Sequence, residues 1–479
     1  MLSAKKKAEL PPLADAFARG LGLANYQGII YAPQDYETGQ YQPTDPARTV
    51  WVPLRNEDLI LLANQQQQIL FSNDGEMRNY VTMVKQIAET YTAIEDSVLI
   101  ITAKGLKVLR SDGKLHKPDG SFVPYFIDTP LNTTGKDKTE VFSTIVEWLG
   151  GSTEDATSLL HHLATTLATS WSAVRYVLLI GDGRNGKSLL MKMLVDLLGQ
   201  HNVSHVTRQQ MASKTTECHD LTNRLLNVVF DGEASYLKDS GMEKTLTAGE
   251  PAYVRKLYES NATRVQTFGL FMEGLNREPK SSDKSSALQK RIVRYYFPNV
   301  YDLDHRFEMR MRSPEMLGAL LALLIEHYVR HDEVVEKLAP TSTANRMKLE
   351  YLRVNSMAVQ FLEHVETTDP VGADSMLNLS MPDVVKMFKH WRLTVVDDIK
   401  PWNPQDVETV LRPMLVTDRK SIRVNSKVTK LRVVTGFTAD AIEFLTYLRG
   451  DEEIHDDDTA MVEDGPVREQ DGAPARESV

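Results

Sequence analysis

The chain of 479 residues has one cysteine, Cys218, so no disulfide can form within it, and a reducing compartment is the expected setting. Long apolar runs are missing as well. The most apolar stretch, "MLGALLALLI" from Met316 to Ile325, is about half the length of a bilayer-spanning helix. The N-terminus "MLSAKKKAEL" is basic, but Leu10-Pro-Pro follows where a signal peptide needs its apolar centre. These absences exclude a disulfide scaffold and a membrane protein, and the expected location is cytoplasmic, in the host cytoplasm if the protein is viral.

A basic balance is also lacking. The formal net charge is −10, yet residues 451–479 hold 11 acidic and 2 basic side chains, which leaves 54 acidic against 53 basic from the chain's 65 and 55. That tail has few large apolar residues and is expected to be disordered. The remaining body is near neutral, so nucleic acid stays possible as a partner, because cations need to line only one channel or face.

Residues 1–135 read as a mixed α/β domain, with Asp112-Gly113 and Asp119-Gly120 as turns of a small antiparallel sheet. Residues 136–172 switch to helical period, with "GG" closing one helix and Ser152-Thr153 opening the next. Residues 173–335 alternate strand and helix, the pattern of an α/β nucleotide-binding core. Residues 350–447 give two helical segments followed by two short strands rich in cations, which predicts a winged-helix module.

Within the central region, "LLIGDGRNGKSLLMKML" runs from Leu178 to Leu194. Gly181, Gly186, Lys187 and Ser188 satisfy G-x-x-x-x-G-K-[ST], and the stretch lies between an apolar strand and an amphipathic helix. Such a loop turns backbone N–H groups toward phosphate, so Gly181, Asp182, Gly183, Arg184, Asn185, Gly186, Lys187, Ser188 and Leu189 are the candidate ATP-binding residues. Lys187 is expected to reach the β and γ phosphates and Ser188 to hold Mg²⁺.

A phosphate loop needs an acidic partner at the end of a neighbouring strand. "LLNVVFDGE" supplies Asp231, placed to hold the metal or its water, and Glu233, placed as a general base. Which of the two holds the metal is open at this level. "TFGLFMEGLNREP" ends in Asn276, an amide that can orient the attacking water or sense the γ-phosphate. Lys290-Arg291 then precede an aromatic-rich strand, and Arg291 is a candidate arginine finger acting on a neighbouring subunit's nucleotide.

Taken in order, "GDGRNGKS", "LLNVVFDGE", "EKTLTAGEPAYVRKLYE", "GLFMEGLNREP" and "DKSSALQKRIVRYYF" resemble the successive motifs of superfamily 3 helicases, in the branch of phage, plasmid and poxvirus primase-helicases. The resemblance is strong over about Val141 to Arg330 and weak in the flanks. It implies an AAA+-like P-loop ATPase core with an α/β N-terminal collar region, to which the pattern of residues 350–447 adds the expected C-terminal winged-helix module. It also implies a hairpin that grips nucleic acid in a central channel, with Lys244, Arg255, Tyr258 and a Gly249-Glu250 turn on the family's positions. Lys244, Arg255, Lys256 and Arg264 are the candidate nucleic-acid contacts. Two positions depart from the family: Glu250 stands where Asp is common, and Lys290 where a second arginine is common.

The activity implied is ATP hydrolysis coupled to duplex unwinding in phage-type or plasmid-type genome replication. The cofactors would be ATP and Mg²⁺, and the assembly a homo-hexamer on single-stranded and forked DNA, moving 3′ to 5′. A separate primase or other replication proteins would be partners, and priming by residues 1–135 is not assigned. Two other classes remain open: a protein-remodelling AAA+-type ATPase, and an ATP-gated origin-binding or assembly factor that does not unwind.

Overall fold

The run "YVLLI" before the glycine-rich loop forms β1 (Tyr176–Ile180) in the computed structural model, which describes residues 4–43, 45–67, 71, 73–91, 96–169, 176–213, 216–232, 240–255, 262–278, 286–396, 403–424 and 427–449. Four more strands pair with it in one sheet: β2 (Val203–Ser204), β3 (Leu226–Val229), β4 (Leu270–Leu275) and β5 (Ile292–Tyr296). Their order is β2-β3-β4-β1-β5 and every pairing is parallel. A parallel sheet buries both faces, which is why these strands read as near-continuous apolar runs. The carboxyl ends of all five strands therefore lie along one edge, where ligands of open α/β sheets bind.

The two faces carry different cargo. Val177 and Leu179 point into one core with the helices α1 (Gly135–Trp148), α2 (Thr153–Ala164) and α3 (Lys187–Leu198). In α3, Leu190, Met191, Leu194, Leu197 and Leu198 follow the helical period and are buried, and Gly199 closes the helix. Ser152 caps α2 by accepting from the Asp155 N–H, as its sequence position predicts. On the opposite face, Tyr176, Leu178, Phe271 and Leu275 pack with the helices α4 (Arg208–Ala212) and α5 (Gly241–Thr247) and with a hairpin, Ala252–Arg255 against Ala262–Val265.

Strands 98–102, 105–109, 115–116 and 126–127 form the sheet expected around Asp112-Gly113. The sheet is mixed rather than antiparallel, because 126–127 runs parallel to 98–102. Val98, Ile100, Leu109 and Ile127 of this sheet, with Tyr125 just before its last strand, join the core shared by α1, α2 and α3. A further four-stranded sheet, 24–26, 29–35, 49–54 and 89–90, packs against helices Ala4–Leu21, Asn56–Gln67 and Asp74–Ile87.

The chain divides into two units between Asn355 and Ser356, and the helix Ser342–Asn355 belongs to the first. The second unit holds helices Met357–Thr368, Met381–Trp391 and Pro404–Leu411, then a long hairpin, Leu415–Val424 with Lys427–Phe437, and a last helix, Ala439–Arg449. Ser380, just before the second helix, forms a bridge with Val433 of the hairpin. Phe361, Phe388 and Trp391 centre its core, with Phe361 and Phe388 rings 5.2 Å apart and edge-on. Among the described residues no helix is long and apolar enough to cross a membrane.

Candidate nucleotide-binding site

Between the end of β1 and the start of α3 the backbone is driven into conformations that favour glycine. Gly181, Gly183 and Gly186 have φ of +155°, +75° and +92°, and Arg184 joins them at +51°. Two of these glycines also lack room for a side chain. A Cβ on Gly181 would come within 2.4 Å of the Phe297 carbonyl oxygen, and one on Gly186 within 2.6 Å of the Trp148 ring. The motif's glycines thus serve turn geometry and close packing together.

Lys187, first residue of α3, is 5% exposed. Its Nζ donates to the Gly181 carbonyl at 2.5 Å and to Asn185 Oδ1 at 3.0 Å, and Asn185 in turn donates to the Phe297 carbonyl. Burial holds the ammonium below the usual lysine pKa, and Asp182 and Asp231 act in the opposite direction. A buried cation held by one carbonyl and one amide oxygen is under-compensated, which suits an anion brought to it.

The loop forms the floor of a cavity of about 930 Å³ that Gly183 through Leu189 line, with Asp231 and Asn276 on its sheet side and Trp148, Tyr301 and Phe307 among the other lining residues. This size fits a ligand pocket. The strand order produces the convergence: β4 lies between β1 and β3, so Asn276, just past β4, stands between the glycine-rich loop and Asp231, just past Phe230. Gly232 follows Asp231 for a steric reason, since a Cβ there would meet Glu273 Oε1 at 2.1 Å. Ser188 offers a hydroxyl and Asp231 a carboxylate to the same cavity. Such a hard-oxygen pair fits Mg²⁺, which takes few protein ligands and completes its shell from phosphate and water. Glu233 lies outside the described residues.

Arg291 is placed elsewhere. Its carbonyl accepts from the Tyr176 N–H at the start of β1, whereas the glycine-rich loop leaves the far end of that strand. Five residues of strand separate the two levels, about 16 Å. Arg291 does not line the cavity.

The hairpin is partly as the motif implies. Ala252, Val254 and Val265 turn inward and are buried, while Tyr253 is 65% exposed and pairs across the strands with exposed Arg264. Arg255 ends the first strand opposite Ala262. Lys244 is a correction: it lies in helix α5, whose Met242 and Leu246 are buried one turn apart, and not on the hairpin. Gly249-Glu250 is accordingly the corner between α5 and the hairpin, since the strands pair across residues 256–261. Lys256 and Tyr258 lie outside the described residues.

The sequence reading missed Trp148, Tyr301 and Tyr253. Tyr253 was legible in principle, because two-residue alternation puts it on the strand face opposite Ala252 and Val254. Trp148 and Tyr301 carry no motif, and only tertiary packing brings them to the loop.

No protein-family model matches the chain, and no curated protein matches it. Among solved structures, it resembles an apo structure of the NrS-1 C-terminal region at 12% identity and a TM-score of 0.49, over 86% of this chain and 96% of that one. A second apo structure of that region covers 88% and 99% at 12% identity and a TM-score of 0.45. JCV helicase, solved with a bound small molecule, covers 46% and 62% at 16% identity and a TM-score of 0.27. Likenesses of this extent assign no function.

Proposed function

We propose that this chain is an ATP-driven motor that forms a closed ring, six subunits by the family resemblance, and moves along single-stranded DNA to part a duplex. One observation carries the reading: the parallel order β2-β3-β4-β1-β5 brings the glycine-rich loop, Asp231 and Asn276 to one cleft and leaves Arg291 at the opposite end of the sheet. An arginine about 16 Å along the strand from its own loop is suited to a neighbour's nucleotide.

In this reading Lys187 exchanges its two internal acceptors for phosphate oxygens, and Ser188 with Asp231 holds Mg²⁺. Mg²⁺ held there would supply positive charge to offset the negative charge that develops on the phosphates. Asn276 orients the attacking water, Glu233 accepts its proton, and Arg291 of the adjacent subunit stabilises the transferring group. The hairpin packs on the sheet face away from α3 and presents Tyr253 and Arg264 outward, an aromatic and a cation suited to a base and a phosphate. The second unit's helices and cationic hairpin act as a winged-helix DNA contact, and translocation runs 3′ to 5′.

The test is ATP hydrolysis with and without single-stranded DNA, followed by unwinding of forked duplexes that carry a 3′ or a 5′ tail. Stimulation by the DNA and unwinding from the 3′ tail are expected, and Lys187→Ala should abolish both. Stimulation by unfolded protein but not by DNA would assign a remodelling ATPase instead, and Lys187→Ala protein with normal turnover would remove the motor reading altogether.

A further inference from the structure

The sheet face that carries the hairpin also buries an arginine where an apolar residue would pack. Arg294, in the middle of β5, is 1% exposed. Its Nε donates to Glu278 Oε2 at 2.6 Å and its Nη2 to Glu278 Oε1 at 2.8 Å, with Gln289 Oε1 also accepting from Nη2 at 2.7 Å. The guanidinium carbon lies 5.1 Å from the centre of the Tyr351 ring. A buried pair of this kind contributes little net stability, because two charges have been taken out of water. Packing alone does not account for it.

Its position does. Leu275, at the end of β4, pairs with Ile180 at the mouth of the glycine-rich loop, whereas Arg294 pairs with Leu178 two residues lower. Glu278 is three residues past Leu275, and its ion pair with Arg294 ties the chain just beyond Asn276 to β5. Asn276 therefore sits in a turn whose first leg is fixed by strand pairing and whose second is fixed by one two-pronged ion pair. The same strand begins one residue after Arg291.

We propose that Arg294 and Glu278 are positioning residues that hold Asn276 over the nucleotide's terminal phosphate; this rests on the ATPase reading above. Neither side chain lines the cavity, so both act through Asn276.

The decisive variant replaces both partners, Arg294→Met with Glu278→Met, since apolar residues of similar length often preserve stability where a single loss does not. Melting temperature, KM for ATP and kcat are measured together. The double variant should fold, keep KM within about twofold and lose kcat by about 10- to 100-fold, the scale of a displaced catalytic group. In an Asn276→Ala background the same double replacement should cost nothing more, because the pair acts only through that amide. A folded double variant with wild-type kcat, or an equal further loss on top of Asn276→Ala, overturns the proposal. If the double variant fails to melt cooperatively, Glu278→Gln decides: it keeps the shape and removes the charge, and wild-type turnover in it overturns the proposal equally. Wild-type protein that hydrolyses no ATP would sink the parent reading and this one together, whereas wild-type turnover with an indifferent pair sinks this one alone.

Discussion

Single residues differ in how far the sequence betrays their environment. Lys187 was legible because glycine spacing restricts what the backbone around it can do. Glu273 was not, since one glutamate in "LFMEGL" looks like an exposed position of a strand, and only the pairing of β4 between β1 and β3 buries it to 1% exposure. Burial pushes its carboxyl from the ordinary 4.5 up to about 7; Arg208 opposes the rise, while Glu243 and Glu278 add to it. The sign follows from linkage. The folded state binds this proton more tightly than the unfolded state, so the contribution is intact below about pH 4.5 and is lost as pH rises through about 7. A shift of this size corresponds to a cost on the order of 3 kcal/mol at pH 8. Glu273→Gln should therefore raise the melting temperature over wild type at pH 8 and lose that advantage by pH 5. Equal shifts at both pH values would mean that Glu273 does not titrate in this range.

At the level of elements, strand–loop–helix alternation was readable in residues 173–335, but the lateral order of strands was not. Local pattern fixes each strand's existence, and the insertion of β4 between β1 and β3 is a long-range pairing that no local signal records. The hairpin shows the converse error. The resemblance counted Lys244 within the hairpin segment, while the spacing of Met242 and Leu246 makes that part of it helical. With Lys244 moved off, the outward face rests on Tyr253 and Arg264. Their separate contributions can be told apart by anisotropy of a labelled thymidine oligomer at two salt concentrations. Arg264→Ala should weaken binding and lower the salt slope by about one, as loss of one phosphate contact requires. Tyr253→Ala should weaken binding by about 1 to 3 kcal/mol, a stacking loss, with the slope unchanged. ATP binding should be unaffected in both, and two variants with wild-type affinity would remove the hairpin from the DNA path.

For the whole molecule, near-neutral charge in residues 1–450 is compatible with a DNA motor only if cations are concentrated on surfaces facing the strand, and shared sites only if identical subunits meet head to tail. The placement of Arg291 makes the second condition testable. In such a ring each catalytic site takes its loop from one subunit and its arginine from the next. Lys187→Ala and Arg291→Ala should each abolish hydrolysis, the latter with ATP binding retained. Equal mixing under conditions of subunit exchange then creates intact sites wherever an Arg291→Ala subunit supplies the loop and a Lys187→Ala subunit supplies the arginine, about a quarter of all junctions in a heterologous ring. Partial recovery of ATPase near that fraction is expected from two inactive preparations. If mixed oligomers are demonstrated by mass and no activity returns, Arg291 serves its own chain or no nucleotide at all, because a site contained in one subunit cannot be repaired by its neighbour.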